Sequence, residues 1–119
     1  IHFLGQRDDV PQFLAALDMF VLPSLWEGLP YALLEAGAAG IPVIATAIPG
    51  NVDVIEHERS GLLVAPGDHL ELTLALFRAL DDPQMPRLAE ALRERVERDY
   101  SLERMIAGHV RLYEGLVQA

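Results

Sequence analysis

The sequence predicts an α/β fold: a parallel sheet with flanking helices, followed by C-terminal helices. Three observations predict it. Over residues 1–65, short apolar runs alternate with helical patterns, the order that βαβ units with right-handed crossovers produce. The run MFVL at 19–22 is unbroken by polar residues, as a strand covered on both faces is. After residue 68 the pattern changes to three amphipathic stretches, at 68–82, 83–98 and 101–118.

Residues 1–4 (IHFL) read as a strand, with Gly5 as its punctuation. Asp9 reads as the cap of a helix with Pro11 in its first turn, where a missing N–H costs nothing. Phe13, Leu14 and Leu17 give that helix an apolar stripe, and Asp18 ends it. The strand at 19–22 stops at Pro23, and residues 24–30 (SLWEGLP) form a loop. Pro30 opens a helix that runs to about Ala39, and Gly40 closes it. A third strand occupies 42–46 (PVIAT). A loop with Pro49 and Gly50 leads to a short helix over 51–56. Ser60-Gly61 then turns into a fourth strand at 62–65, and Pro66-Gly67-Asp68 is a turn ending in an N-cap. Leu88, Leu92 and Val96 recur at spacing four in the second of the late helices. Ser101 with Arg104 makes a partial capping box for the last. On the helix before it, Glu94 and Arg98 form a surface pair with i,i+4 spacing.

Composition narrows the function. The 119 residues hold 18 acids and 9 bases, a net charge of −9, and every base is an arginine. A nucleic-acid partner calls for a basic face, so none is expected. With no cysteine, disulfides, zinc ribbons and thiol nucleophiles are excluded. His2, His57, His69 and His109 are dispersed without metal-ligand spacing. No apolar run is long enough to span a bilayer. No Ser-His-Asp constellation surrounds Ser24, and no G-x-G-x-x-G follows a strand. The chain opens on Ile1 and directly on a strand pattern, so it is expected to be a piece of a longer protein. The expected location is cytoplasmic, the full-length protein lying peripherally at the inner membrane.

Parallel sheets bind ligands at the carboxyl ends of their strands, so the loops after Leu4, Leu22, Thr46 and Ala65 carry the candidates. From Gly28 to Val52 the only charged side chain is Glu35. A carboxylate there costs several kcal/mol, on the order of 3, if dry and unpaired. Either it faces water at a rim or strong donors hold it. Glu27 lies eight residues earlier, just before Gly28, which lets the backbone approach a ligand closely. The helix beginning near Pro30 leaves the amides of Tyr31 and Ala32 free, and a helix N-terminus attracts anions. Two acids thus flank an anion site, an arrangement suited to a sugar nucleotide. Trp26 either lines that cleft or packs beneath the loop; Asn51 is either a cap or a ligand contact.

Residues 24–46 (SLWEGLPYALLEAGAAGIPVIAT) closely resemble the Glu-x7-Glu signature of glycosyltransferase family 4, a retaining family with the two-domain GT-B fold. The stretches 3–23 and 49–68 resemble the same family, and the similarity covers about residues 3–82. The resemblance implies a Rossmann-like sheet. Residues 1–100 would be part of a nucleotide-sugar-binding domain whose N-terminal strands are missing. Residues 101–119 would form a helix packing toward an absent N-terminal domain. It implies that Glu27 contacts the donor sugar near the reacting centre and Glu35 accepts from ribose hydroxyls. The Gly28 loop and the backbone of Leu29, Tyr31 and Ala32 would meet the diphosphate, and Arg7 would lie near the base. The donor is then a nucleoside-diphosphate sugar. The acceptor is a saccharide or a lipid-linked group held by the absent domain. No cofactor or metal is expected. The family meets part of the diphosphate charge with an Arg/Lys pair located before the segment seen here. In isolation such a piece is expected to self-associate and to be inactive. The alternatives are a nucleotide-binding fragment without catalysis, or another GT-B enzyme such as a sugar-nucleotide epimerase.

Overall fold

The computed structural model describes residues 1–118. In chain order the elements are α1 (Val10–Leu14), β1 (Phe20–Leu22), α2 (Tyr31–Ala38), β2 (Val43–Thr46), α3 (Asn51–Val54), β3 (Leu62–Val64), α4 (His69–Asp81), α5 (Met85–Asp99) and α6 (Leu102–Gln118). The three strands form one parallel sheet in the order β1-β2-β3. Phe20 stands opposite Val43, and Ile44 opposite Leu62. The fold class is the one expected from the alternation of apolar runs and helical patterns.

The sheet divides the core into two layers, because successive strand side chains point to opposite faces. Val43 and Ala45 of β2 join Leu14, Leu33, Ala36, Val54, Leu92 and Val96 on one face. Ile44 joins Leu62, Val64, Ala79, Met85 and Leu88 on the other. All four residues of β2 are buried, as the central strand requires. Helix α5 serves both layers: Met85 and Leu88 belong to one, Leu92 and Val96 to the other. It lies close on α2 because Gly37 has no side chain. A Cβ there would stand 2.8 Å from Val96 Cγ2 and 3.1 Å from Leu92 Cγ. Full burial of Leu33 and Leu92 contributes about 1.5–3 kcal/mol each.

Several expectations are corrected. Residues 1–4 are not a strand, and Ile1 and Phe3 lie fully in solvent. An apolar tetrapeptide becomes a strand only when a neighbour completes its hydrogen-bond ladder, and among the described residues none does. Asp9 does not cap α1 with its side chain, because its carboxylate takes the Arg7 guanidinium instead. Helix α1 stops at Leu14, and its end tightens into turns, Ala16 N to Phe13 O and Leu17 N to Leu14 O. Helix α3 ends at Val54, short of residue 56, because Ile55 is extended. Arg98 bonds Asp99 rather than Glu94, the nearer carboxylate. The turn at Asp68 is as read: its carboxylate accepts from Glu71 N at 2.9 Å, and Glu71 reaches back to Ala65 N at 2.7 Å. Ser101 Oγ accepts from Arg104 N. No helix among the described residues is long and apolar enough to cross a membrane.

Arg78 of α4 closes the loop before β3. It donates to Glu58, a residue held at φ 60°, and to Asp82 at 3.1 Å. The hydrogen bond from Arg78 holds the Glu58 carboxyl below its ordinary pKa. The Gln84 amide, and then Arg78, do the same for Asp82. A carboxylate with a folded pKa below its unfolded one stabilises the fold above the unfolded value. That stability is lost as pH falls through the folded value. The melting temperature is therefore expected to drop as pH is lowered from about 5 to about 2. The drop should be shallower in Arg78→Ala and in high salt, since these pairs are exposed. Thermal melts across pH check this; an identical slope in Arg78→Ala would refute it.

Candidate functional site

The loops leaving β1, β2 and β3 lie at the carboxyl ends of the strands, and Glu27 sits in the first of them. Pro23 ends the β1 ladder because it has no N–H to give. The chain then turns so that Ser24 Oγ donates to Glu27 Oε1 at 2.7 Å. Glu27 is half-buried, and Gly28 is exposed beside it. Thr46, the last residue of β2, is buried and donates its hydroxyl to the Ser24 carbonyl. Asn51, the first residue of α3, is fully buried and donates Nδ2 to Thr46 O at 2.9 Å. The cap of α3 is Gly50 rather than Asn51, so the cap reading made of Asn51 from sequence is corrected.

The β2–α3 loop presses on the Glu27 loop. Gly50 holds φ 89°, and a Cβ there would lie 2.1 Å from the Gly28 carbonyl oxygen and 3.4 Å from Glu27 Cβ. Only glycine satisfies both the positive φ and that approach. The Gly50 amide donates to Asp53 Oδ2.

Helix α2 starts immediately after. Pro30 is buried, and its carbonyl accepts from Leu33 and Leu34. No side chain caps the helix, and the amides of Tyr31 and Ala32 have no protein acceptor among the described residues. Leu29, Tyr31 and Ala32 are exposed, so this first turn is open to solvent. Glu35, one turn on, is also exposed. Of the two readings left open for it, the structure takes the water-facing rim. It borders a groove of about 300 Å³ between α1 and α2, lined by Val10, Pro11, Leu14 and Ala38. Trp26 is 80% exposed, so it does not pack beneath its loop.

Arg7 is engaged within its own segment. Its guanidinium makes a fork to Asp9, at 2.9 and 2.6 Å, and lies 4.7 Å from the Phe13 ring centre. That fork holds the Asp9 carboxyl below its ordinary pKa. No hydrogen bond or ion pair among the described residues joins Arg7 to Glu27 or Glu35.

Two clefts adjoin the loop. One, of about 330 Å³, lies at the ends of all three strands, lined by Pro23, Leu25, Thr46, Val64, Ala65 and Leu72. This is where parallel sheets receive ligands. The larger, about 410 Å³, lies between the first turn of α2 and the start of α6; Leu29, Tyr31, Arg104 and His109 line it. Sequence reading missed Arg104 at this place, and also Thr46 and Gly50 as supports of Glu27. Ser24, three residues before Glu27, was within local reach; Thr46 and Arg104 have no local signal. Among the described residues no cluster of His, Asp and Glu has the form of a metal site.

A family model described as glycosyl transferases group 1 matches residues 1–82. The chain is 36% identical over 114 residues to UDP-Gal:alpha-D-GlcNAc-diphosphoundecaprenol alpha-1,3-galactosyltransferase of Escherichia coli, covering 96% of this chain and 30% of that protein. It is 32% identical over 123 residues to the lipopolysaccharide core biosynthesis mannosyltransferase LpsB of Rhizobium meliloti, covering 99% and 34%. Among solved structures, Anabaena Alr3699/HepE in complex with UDP-glucose superposes with a TM-score of 0.85 at 27% identity, covering 98% of this chain and 32% of that one. The chain therefore spans about a third of the length of the relatives it matches.

Proposed function

The chain belongs to the group 1 glycosyltransferases, and from that premise we propose that it is the donor-binding part of an enzyme moving a sugar from a nucleoside-diphosphate sugar to an acceptor hydroxyl. The observation that carries this is the junction of the Glu27-Gly28 loop with the uncapped first turn of α2. There the loop that carries the carboxylate runs straight into a helix turn whose first amides have no acceptor among the described residues.

In this reading Glu27 accepts from a hydroxyl of the donor sugar at the reacting centre. Gly28 and the backbone of Leu29, Tyr31 and Ala32 receive the diphosphate, the amides of Tyr31 and Ala32 donating to it. As the sugar–phosphate bond breaks, charge builds on the departing diphosphate. Fixed amides at a helix N-terminus stabilise that charge without reorganising. Glu35 accepts from ribose hydroxyls at the rim of α2, and Arg7 lies on the base side of the site. The reaction retains configuration at the anomeric carbon and uses neither a cofactor nor a metal. A saccharide or lipid-linked acceptor comes from the other domain. The full-length protein works in the cytoplasm, peripherally at the inner membrane.

Residues 1–100 form the nucleotide-sugar-binding part, and α6, within residues 101–118, is the helix that crosses toward the N-terminal domain; residue 119 lies outside the described residues. Support for the second assignment lies in α6 itself. None of its 17 residues is buried, although Leu102, Met105, Ile106, Val110, Tyr113 and Leu116 are apolar. Such a stripe calls for a covering partner. Without that domain the chain self-associates through the stripe and does not turn over.

Glu35→Ala in the full-length protein is expected to weaken nucleoside-diphosphate binding about 10-fold, the worth of a hydrogen bond to a charged group. Folding should be unaffected, since Glu35 is exposed. Titration calorimetry with UDP, GDP and ADP reads this directly, and an unchanged affinity for all three removes the ribose role.

A further inference from the structure

We propose that Ser24, Thr46 and Asn51 form a relay that holds the Glu27 carboxylate in one orientation, Ser24 being its terminal positioning residue. The inference rests on the reading of Glu27 as the group at the donor sugar.

The relay follows from counting protons. A serine hydroxyl has one proton, and Ser24 gives it to Glu27 Oε1 at 2.7 Å. Glu27 Oε2 has no hydrogen-bond donor among the described residues, so it is the oxygen left for a ligand. Thr46 likewise has one proton, spent on the Ser24 carbonyl. Toward Asn51, Thr46 therefore presents only acceptors, its carbonyl and the lone pairs of Oγ1. The Asn51 amide must turn its NH2 to them, at 2.9 and 3.4 Å. The opposite orientation would set oxygen against oxygen.

That orientation leaves Asn51 Oδ1 buried with no protein donor among the described residues. These bonds tie three segments together: the end of β2, the start of α3 and the loop after β1. A carboxylate on a flexible stem loses rotamer freedom when ordered. The relay imposes that order before the ligand arrives, and such preorganisation raises turnover rather than ground-state binding.

The test uses the full-length enzyme with a UDP-sugar donor and hydrolytic turnover where no acceptor is known. Ser24→Ala is expected to lower kcat about 10- to 100-fold, the scale of a small misplacement at a reacting centre. The donor KM and melting temperature should hardly move, and Ser24→Thr should restore most of the turnover. In a Glu27→Ala background Ser24→Ala should add nothing, because the group it positions is gone. Full additivity there, or wild-type kcat in Ser24→Ala, overturns the relay while leaving the role of Glu27 standing. Wild-type turnover in Glu27→Ala alone overturns that role, and the relay with it.

Discussion

Replacing Glu27 by alanine in the full-length transferase is expected to lower kcat by about 10²- to 10³-fold, the cost of removing one preorganised polar group from a reacting centre. Donor affinity should change far less. The diphosphate, in the proposed reading, is held by the amides of the first turn of α2, which the substitution leaves in place. A loss confined to kcat marks an interaction made chiefly in the transition state, whereas a loss confined to KM marks uniform binding. The fold should survive, because the side chain is half-buried and its one bond is to Ser24. Steady-state kinetics with a varied donor decides it. Near-normal turnover, or a rise in KM alone, would take Glu27 out of the reacting centre.

Gly50→Ala should act on the same loop by shape alone. The new methyl would fall 2.1 Å from the Gly28 carbonyl oxygen, at a residue whose φ is 89°. Neither can relax cheaply: the obstacle is backbone, and the positive φ is itself unfavourable for alanine. Backbone strain and overpacking each cost about 1–3 kcal/mol. A fall in unfolding free energy of about 2–4 kcal/mol is therefore expected, together with a loss of turnover as Gly28 and Glu27 are pushed aside. Denaturant unfolding and kinetics on one preparation check both. If stability and turnover both match wild type, the approach of the two loops is not as described.

The two substitutions act on one loop from positions far apart in the chain. Glu27, Gly28 and Glu35 stood out from local composition, because a charge in an apolar stretch and a glycine after a strand are visible without coordinates. The start of α2 was legible for the same reason: Pro30 has no N–H and a fixed φ, so it marks a helix entrance. Asp68 and Ser101 were equally readable, since each caps an amide three residues ahead. Strands β1 and β2 followed from short apolar runs ended by Pro23 or by a polar residue.

The failures have different causes. The IHFL run has strand composition but no neighbour, and composition does not supply one. Asp9 looked like a cap, yet Arg7 two residues away offered its carboxylate a charged fork, which is stronger than a lone amide. Asn51 carried the signature of a cap, and is instead the first residue of α3, buried against Thr46.

Chain-local chemistry was therefore enough for the order of the elements from α1 onward, the parallel sheet, the −9 charge and the placing of a carboxylate shortly before a free helix end. These rest on periodicity, caps and turn residues, whose forces act over a few positions. Packing settled the rest: that Gly50 meets the Gly28 carbonyl, that Arg104 comes to the first turn of α2, and that Thr46 donates to a carbonyl 22 residues away. Contacts at such separations exist only after the sheet has closed. No local pattern encodes them, because the partners are chosen by the fold and not by their neighbours in the chain.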